Sequence, residues 1–146
     1  MTELAAEIFG AHYDVPEHLW LRVHFAPSAT SQAAGHEFLK RKLLRQENRD
    51  PEVNGKVAPA QVEALGKYGM QYDGVLDYLK DIKQPTLIVQ GNNDVIAPTV
   101  NSYTMQQNMP NAQLILYPDS NHGSLFQYAD LFVKQVNLFL NNLIAL

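Results

Sequence analysis

Two short apolar runs rich in β-branched residues, 86–90 (Thr-Leu-Ile-Val-Gln) and 113–117 (Gln-Leu-Ile-Leu-Tyr), constrain the fold of this chain more than any other feature. Proline or glycine bounds each run, neither is long enough for a helix, and neither alternates apolar with polar residues. Such runs suit parallel strands covered on both faces. About 22 residues separate them, enough for the crossover helix that a parallel pair requires. The fold class expected is α/β.

In sheets of this kind ligands collect beyond the carboxyl ends of the strands. Asn92-Asn93-Asp94 follows the first run directly, and Pro118-Asp119-Ser120-Asn121 carries the second into His122-Gly123. Singly, Asp94 and His122 are ordinary loop residues. Together, past the ends of two neighbouring strands, they form a candidate acid–base dyad. A carboxylate that accepts the Nδ1–H of an imidazole fixes its tautomer and stabilises the imidazolium formed when the ring takes up a proton.

The 146 residues, 46% hydrophobic and 18% charged, suit one soluble globular unit able to bury a core without disulfides. With no cysteine, thiol chemistry, iron–sulfur clusters and cysteine-based zinc sites are excluded, and a reducing cytosol is the simplest setting. A net charge of −4 argues against a nucleic-acid partner. No stretch approaches the roughly 18 apolar residues of a membrane span. Glu3 and Glu7, with no basic cluster beside them, do not suit a secretory signal.

Residues 1–79 lack a convincing buried strand and read as a small helical layer ahead of 80–146. Expected helices lie at 5–9, from 16, at 32–48 and at 59–67, where Gly66 and Gly69 end the last, with a further helical piece at 73–80. Residues 27–31 read as a loop. His12, His18 and His24 recur every six residues, about 240° of helical rotation, so they share no face and no metal site is expected. Lys40-Arg41-Lys42 with Arg45, among Glu37, Glu47 and Asp50, reads as a solvated face with ion pairs. Tyr13, Trp20 and Phe25 read as helical-layer core. In the second half a crossover helix is expected at 100–107 and a last helix from about Phe126. Ala129, Phe132, Val133, Val136, Leu140 and Leu143 would form its buried stripe against both strands.

The stretch 79–98 contains the pattern I-x-x-P-T-L-I-V-x-G-x-x-D-x-I-x-P. With Asn108-Met109-Pro110-Asn111-Ala112 and Asn121-His122-Gly123 further on, it strongly resembles the α/β-hydrolase family. The resemblance spans roughly 79–142 and implies a penultimate strand with its acid loop, then a last strand with its histidine loop. It would make Asp94 the triad acid and His122 the general base, and 1–79 more loosely resembles the family's helical cap. The family's G-x-S-x-G nucleophile turn, which precedes both cap and acid, has no counterpart here. Ser28, Ser31, Ser102, Ser120 and Ser124 all lack the flanking glycines.

The expectation is therefore the C-terminal portion of a serine-type hydrolase of small esters or related acyl substrates. It would be inactive alone, need no cofactor, and form a homo-oligomer through the open edge of the first strand. The alternatives are a non-catalytic binding or oligomerisation module, and a lyase or isomerase on the same scaffold.

Overall fold

A computed structural model of the chain describes residues 3–51, 54–72 and 76–143. Four helices come first: α1 (Glu3–Gly10), α2 (Glu17–His24), α3 (Ala29–Leu44) and α4 (Val57–Tyr72). A 3₁₀ turn, Asp77–Asp81, leads into β1 (Thr86–Gly91). Helix α5 (Thr99–Asn108) crosses over to β2 (Ala112–Tyr117), and α6 (Ser124–Gln127) and α7 (Ala129–Leu143) complete the described chain.

The two strands pair in parallel, with Ile88 opposite Leu114 and Gly91 opposite Tyr117, and form a two-stranded open sheet. The expected α/β class and strand pair are thus present, each strand one residue longer than 86–90 and 113–117. Successive strand side chains point to opposite faces. Ile88 packs with Leu79 of the 3₁₀ turn and Met109 after α5, joined by Ala112 and Leu114. On the other face, Tyr117 bonds through its hydroxyl to Gln135 of α7 and stacks on Tyr128, with ring centroids 4.9 Å apart. A second cluster, Leu21, Phe25 and Leu39 with Phe38, reaches Phe126 of α6 and ties the helical layer to the strand pair.

Several expected boundaries change. Residues 27–31 are not all loop: Ser28 caps α3, its Oγ accepting the Ser31 backbone N–H at 3.1 Å, so the helix starts at Ala29. Helix α3 also stops at Leu44, not Asn48, and Asn48 adopts a left-handed φ of 52°. Helix α4 begins at Val57 and continues through Gly66 and Gly69. A helical glycine costs only about 1 kcal/mol, and the residues around these two are mostly good helix formers. The helical piece expected at 73–80 is a 3₁₀ turn from Asp77, its expected start at 73–75 lying outside the described residues.

The last helix is two, broken at Tyr128, whose hydroxyl bonds to the Pro118 carbonyl at 2.9 Å. The stripe on α7 is also rotated from that expected. Val133 and Leu140 are exposed, at 54% and 50%, whereas Phe132, Gln135, Val136 and Phe139 are the half-buried positions; the side chain of Leu143 lies outside those described. Gln135, half-buried on this face, accepts the Tyr117 hydroxyl, so a polar residue holds a place in the stripe. On α3 the basic cluster is solvated as expected, with Lys40 bonded to Glu37 at 2.6 Å and Lys42 over the Trp20 ring.

Past the strand ends the two loops meet backbone to backbone. Asn93 N–H donates to Ser120 O at 3.0 Å, and Asn92 N–H to Tyr117 O at 2.9 Å. A β-carbon on Gly91 would lie 2.2 Å from the carbonyl oxygens of both Ser120 and Asn121, atoms that cannot step aside. We expect Gly91→Ala to lower the unfolding free energy in urea titration by at least about 2 kcal/mol, the range of an overpacked core, while Gly66→Ala, in open space, stabilises or is neutral.

Candidate active site

The loops after β1 and β2 bring Asp94 and His122 together, Oδ2 to Nδ1, at 2.9 Å. The Asp94 side chain is 2% exposed and that of His122 is 42% exposed, so the carboxylate is enclosed while the imidazole reaches the surface. The turn Asp94 itself begins explains its orientation: Oδ1 accepts the backbone N–H of Ile96 at 2.8 Å and of Ala97 at 3.0 Å. Gln90, the last side chain of β1 before Gly91, donates from Nε2 to Asp94 Oδ2 at 3.0 Å. Its Oε1 accepts from Ser102 of α5. Ser102, Gln90, Asp94 and His122 thus form one hydrogen-bonded line from the crossover helix to the surface.

Charge follows from this geometry. Burial pushes the Asp94 carboxyl up, but the bonds from His122, Ala97, Gln90 and Ile96 outweigh it and hold the group below its ordinary value. His122 is raised, chiefly by its bond to Asp94, against the opposing effect of burial. With Nδ1 committed to the carboxylate, Nε2 is the ring nitrogen left able to take up or give a proton.

The histidine loop hangs from the end of α2. His122 N–H donates to Val23 O at 3.4 Å and Gly123 N–H to His24 O at 3.0 Å. Asn121 Nδ2 reaches Phe25 O at 3.1 Å. A β-carbon on Gly123 would stand 2.5 Å from that of His24. From α3, Ser28 Oγ donates to Asp119 Oδ2 at 2.6 Å and Ser31 Oγ to Gln127 Oε1 at 2.7 Å. Asp119 takes a left-handed φ of 47° in this corner.

Both residues expected of the site are therefore in contact, and three that the sequence reading missed sit around them. Gln90 and Ser102 orient the carboxylate, and the one available signal was an amide inside an apolar strand. His24 stacks on His122, ring centroids 5.9 Å apart and planes 16° from parallel. Burial, and then the nearby charge of His122, pull its pKa down to about 4. His12 and His18 take no part in this contact; His12 pairs with Asp14 at the surface. Among the described residues no group of three His, Cys, Asp or Glu is placed to hold a metal, and no helix is long and apolar enough to cross a membrane.

A family model described as TAP-like protein matches residues 69–143, which include both Asp94 and His122. The chain is 35% identical over 76 residues to the pimeloyl-[acyl-carrier protein] methyl ester esterase of Nitrosomonas europaea, covering 52% of this chain and 30% of that protein. To the proline iminopeptidase of Clostridium botulinum it is 32% identical over 99 residues, covering 64% and 33%. A solved α/β-hydrolase fold protein from Chitinophaga pinensis superposes with a TM-score of 0.83 at 33% identity, covering 94% of this chain and 48% of that one. The chain thus spans about a third of the length of the curated relatives it matches and about half of the solved neighbour.

Two measurements follow. Asp94→Asn should lower the His122 pKa in an NMR titration, because the bond that raises it then ends on a neutral amide. In the wild-type chain the raised His122 stabilises fully below its unfolded value of about 6.5 and loses that contribution as pH rises through its folded value. The lowered Asp94 stabilises above about 3.8 and loses its share as pH falls through its folded value. His24 acts oppositely: the unfolded chain takes its proton first, so stability falls as pH drops from 6.5 to about 4, by less than the full shift implies because solvent screens the part-open ring. His24→Phe should therefore flatten the acid side of the stability–pH curve.

Proposed function

The chain belongs to the α/β-hydrolase family, and from that premise we propose that Asp94 and His122 are the acid and the general base of a serine-type hydrolysis of a small ester or related acyl substrate. The observation that carries this reading is the 2.9 Å bond between a nearly water-free carboxylate and a surface-reaching imidazole. In the proposed reaction His122 Nε2 takes the proton of an attacking hydroxyl as its oxygen bonds to the acyl carbon. The imidazolium, stabilised by Asp94, then gives that proton to the departing alcohol oxygen. Water repeats the sequence to release the acid, and the ring ends as it began.

The nucleophile lies outside these 146 residues in this reading. Ser31, Ser102, Ser120 and Ser124 are buried, Ser28 caps α3, and none stands in a G-x-S-x-G turn. Residues 1–79 serve as the substrate-selecting cap over the partial core of 80–146. An apolar cleft of about 200 Å³, lined by Phe9, Leu19, Trp20, Val23 and His24, offers the acyl group a seat one ring away from the base, since His24 stacks on His122.

A second reading, a non-catalytic module that binds through its open sheet, is favoured by one observation. Among the described residues β1 pairs with β2 alone, which leaves its other edge without a ladder partner. An edge of this kind suits a homo-oligomer, and light scattering at micromolar concentration should then find a species larger than a monomer.

One assay separates the two. A chromogenic short-chain ester is offered to the chain alone and with a separately produced segment carrying a G-x-S-x-G strand-turn-helix. We expect no turnover alone, turnover on mixing, and its loss in His122→Ala. Absence of turnover in every combination, with an oligomer in solution, favours the module instead.

A further inference from the structure

The His122 ring is anchored through one hydrogen bond at Nδ1, and its side chain is 42% exposed. A single bond leaves an imidazole broad freedom about its second side-chain torsion. The structure supplies a second restraint on the opposite loop wall. The ring of His24, last residue of α2, lies nearly parallel to that of His122 at 5.9 Å. His24 is itself wedged by Trp20, at 5.0 Å, and by the edge-on ring of Phe126, at 5.7 Å. Phe126 is backed in turn by Phe38, stacked at 4.6 Å. The main chain enforces the approach, since Gly123 N–H bonds to the His24 carbonyl and no β-carbon fits between the two residues.

The Nδ1 of His24 is buried and bonded to no protein group. That nitrogen therefore adds no hydrogen bond to the corner, and His24 meets His122 through the face of its ring. What the ring contributes is a flat π face toward the base. The ionisable groups that act on it are His122 and Asp94, and Lys42 lies over the neighbouring Trp20 ring. Two stacked imidazolium ions would repel, and the lowered pKa of His24 keeps its ring neutral when His122 is protonated.

We propose that His24 is a positioning residue, a neutral aromatic platform that holds the His122 imidazole in the plane from which Nδ1–H reaches Asp94. This inference rests on the acid–base reading of Asp94 and His122. Imidazole NMR of the full chain tests it through the exchange of the His122 Hδ1 proton with water, with far-UV circular dichroism as the control for folding. In H24A we expect exchange about five-fold faster than wild type, the size of effect an aromatic pair exerts, while H24F, which keeps the face but has no nitrogen, stays near wild type. Should H24A fail to fold, H24L fills the space without a π face and is expected to exchange as H24A would. Wild-type exchange in folded H24A or H24L, or exchange in H24F as fast as in H24L, overturns the platform. D94N keeps the two ideas apart. Loss of the protected proton in D94N beside wild-type exchange in H24L removes the platform alone, whereas its persistence in D94N removes the acid–base reading and the platform with it.

Discussion

A carboxylate almost sealed from water is tolerated at Asp94 because four donors converge on it: the backbone N–H groups of Ile96 and Ala97, the amide of Gln90 and the ring of His122. Burying a charge without such partners costs several kcal/mol, so each donor is a structural requirement as well as a chemical one. The rest of the architecture serves this point. β1 carries Gln90 and leads straight into the turn that holds Asp94, α5 supplies Ser102 to hold the far end of Gln90, and β2 carries the chain to His122. A sheet of two strands suffices for this because the register, Gly91 opposite Tyr117, sets the two loops side by side.

The helical layer is tied to the same point from above. Its hold on the histidine loop is mostly main chain, through the carbonyls of Val23, His24 and Phe25, supplemented by Ser28 and Ser31 at the start of α3. The Leu21–Phe25–Leu39 cluster fixes α2 against α3, and Phe126 extends it to α6, so the loop is suspended from a packed unit. Separate clusters thus lie under the sheet and in the helical layer, and the acid and histidine loops are bonded backbone to backbone.

Much of this was legible in the sequence because the decisive signals are local. Apolar runs closed by Pro85, Gly91 and Pro118 mark short buried strands, and acid and imidazole follow them at once. What escaped depends on contacts between distant parts of the chain. His24 was weighed with His12 and His18 as a spacing on one helix, whereas its partner is a ring on the other side of the fold. Gln90 looked like the end of an apolar run, yet it is buried for its hydrogen bonds. Ser28 was taken for loop although its Oγ accepts the unpaired N–H three residues on, which makes it a cap. On α7 hydrophobicity alone placed the stripe, whereas the half-buried face includes Gln135, which is bonded to Tyr117.

Suspension of the base from peptide carbonyls has a bearing on how such a layer diversifies. Carbonyl oxygens are common to every amino acid, so replacements of Leu19 or Trp20 can reshape the neighbouring hollow while the loop keeps its anchor. In the proposed reading, selectivity and proton transfer would in this way be inherited through different parts of the polypeptide. One is free to drift with side-chain identity; the other is locked wherever only glycine fits, at positions 91 and 123.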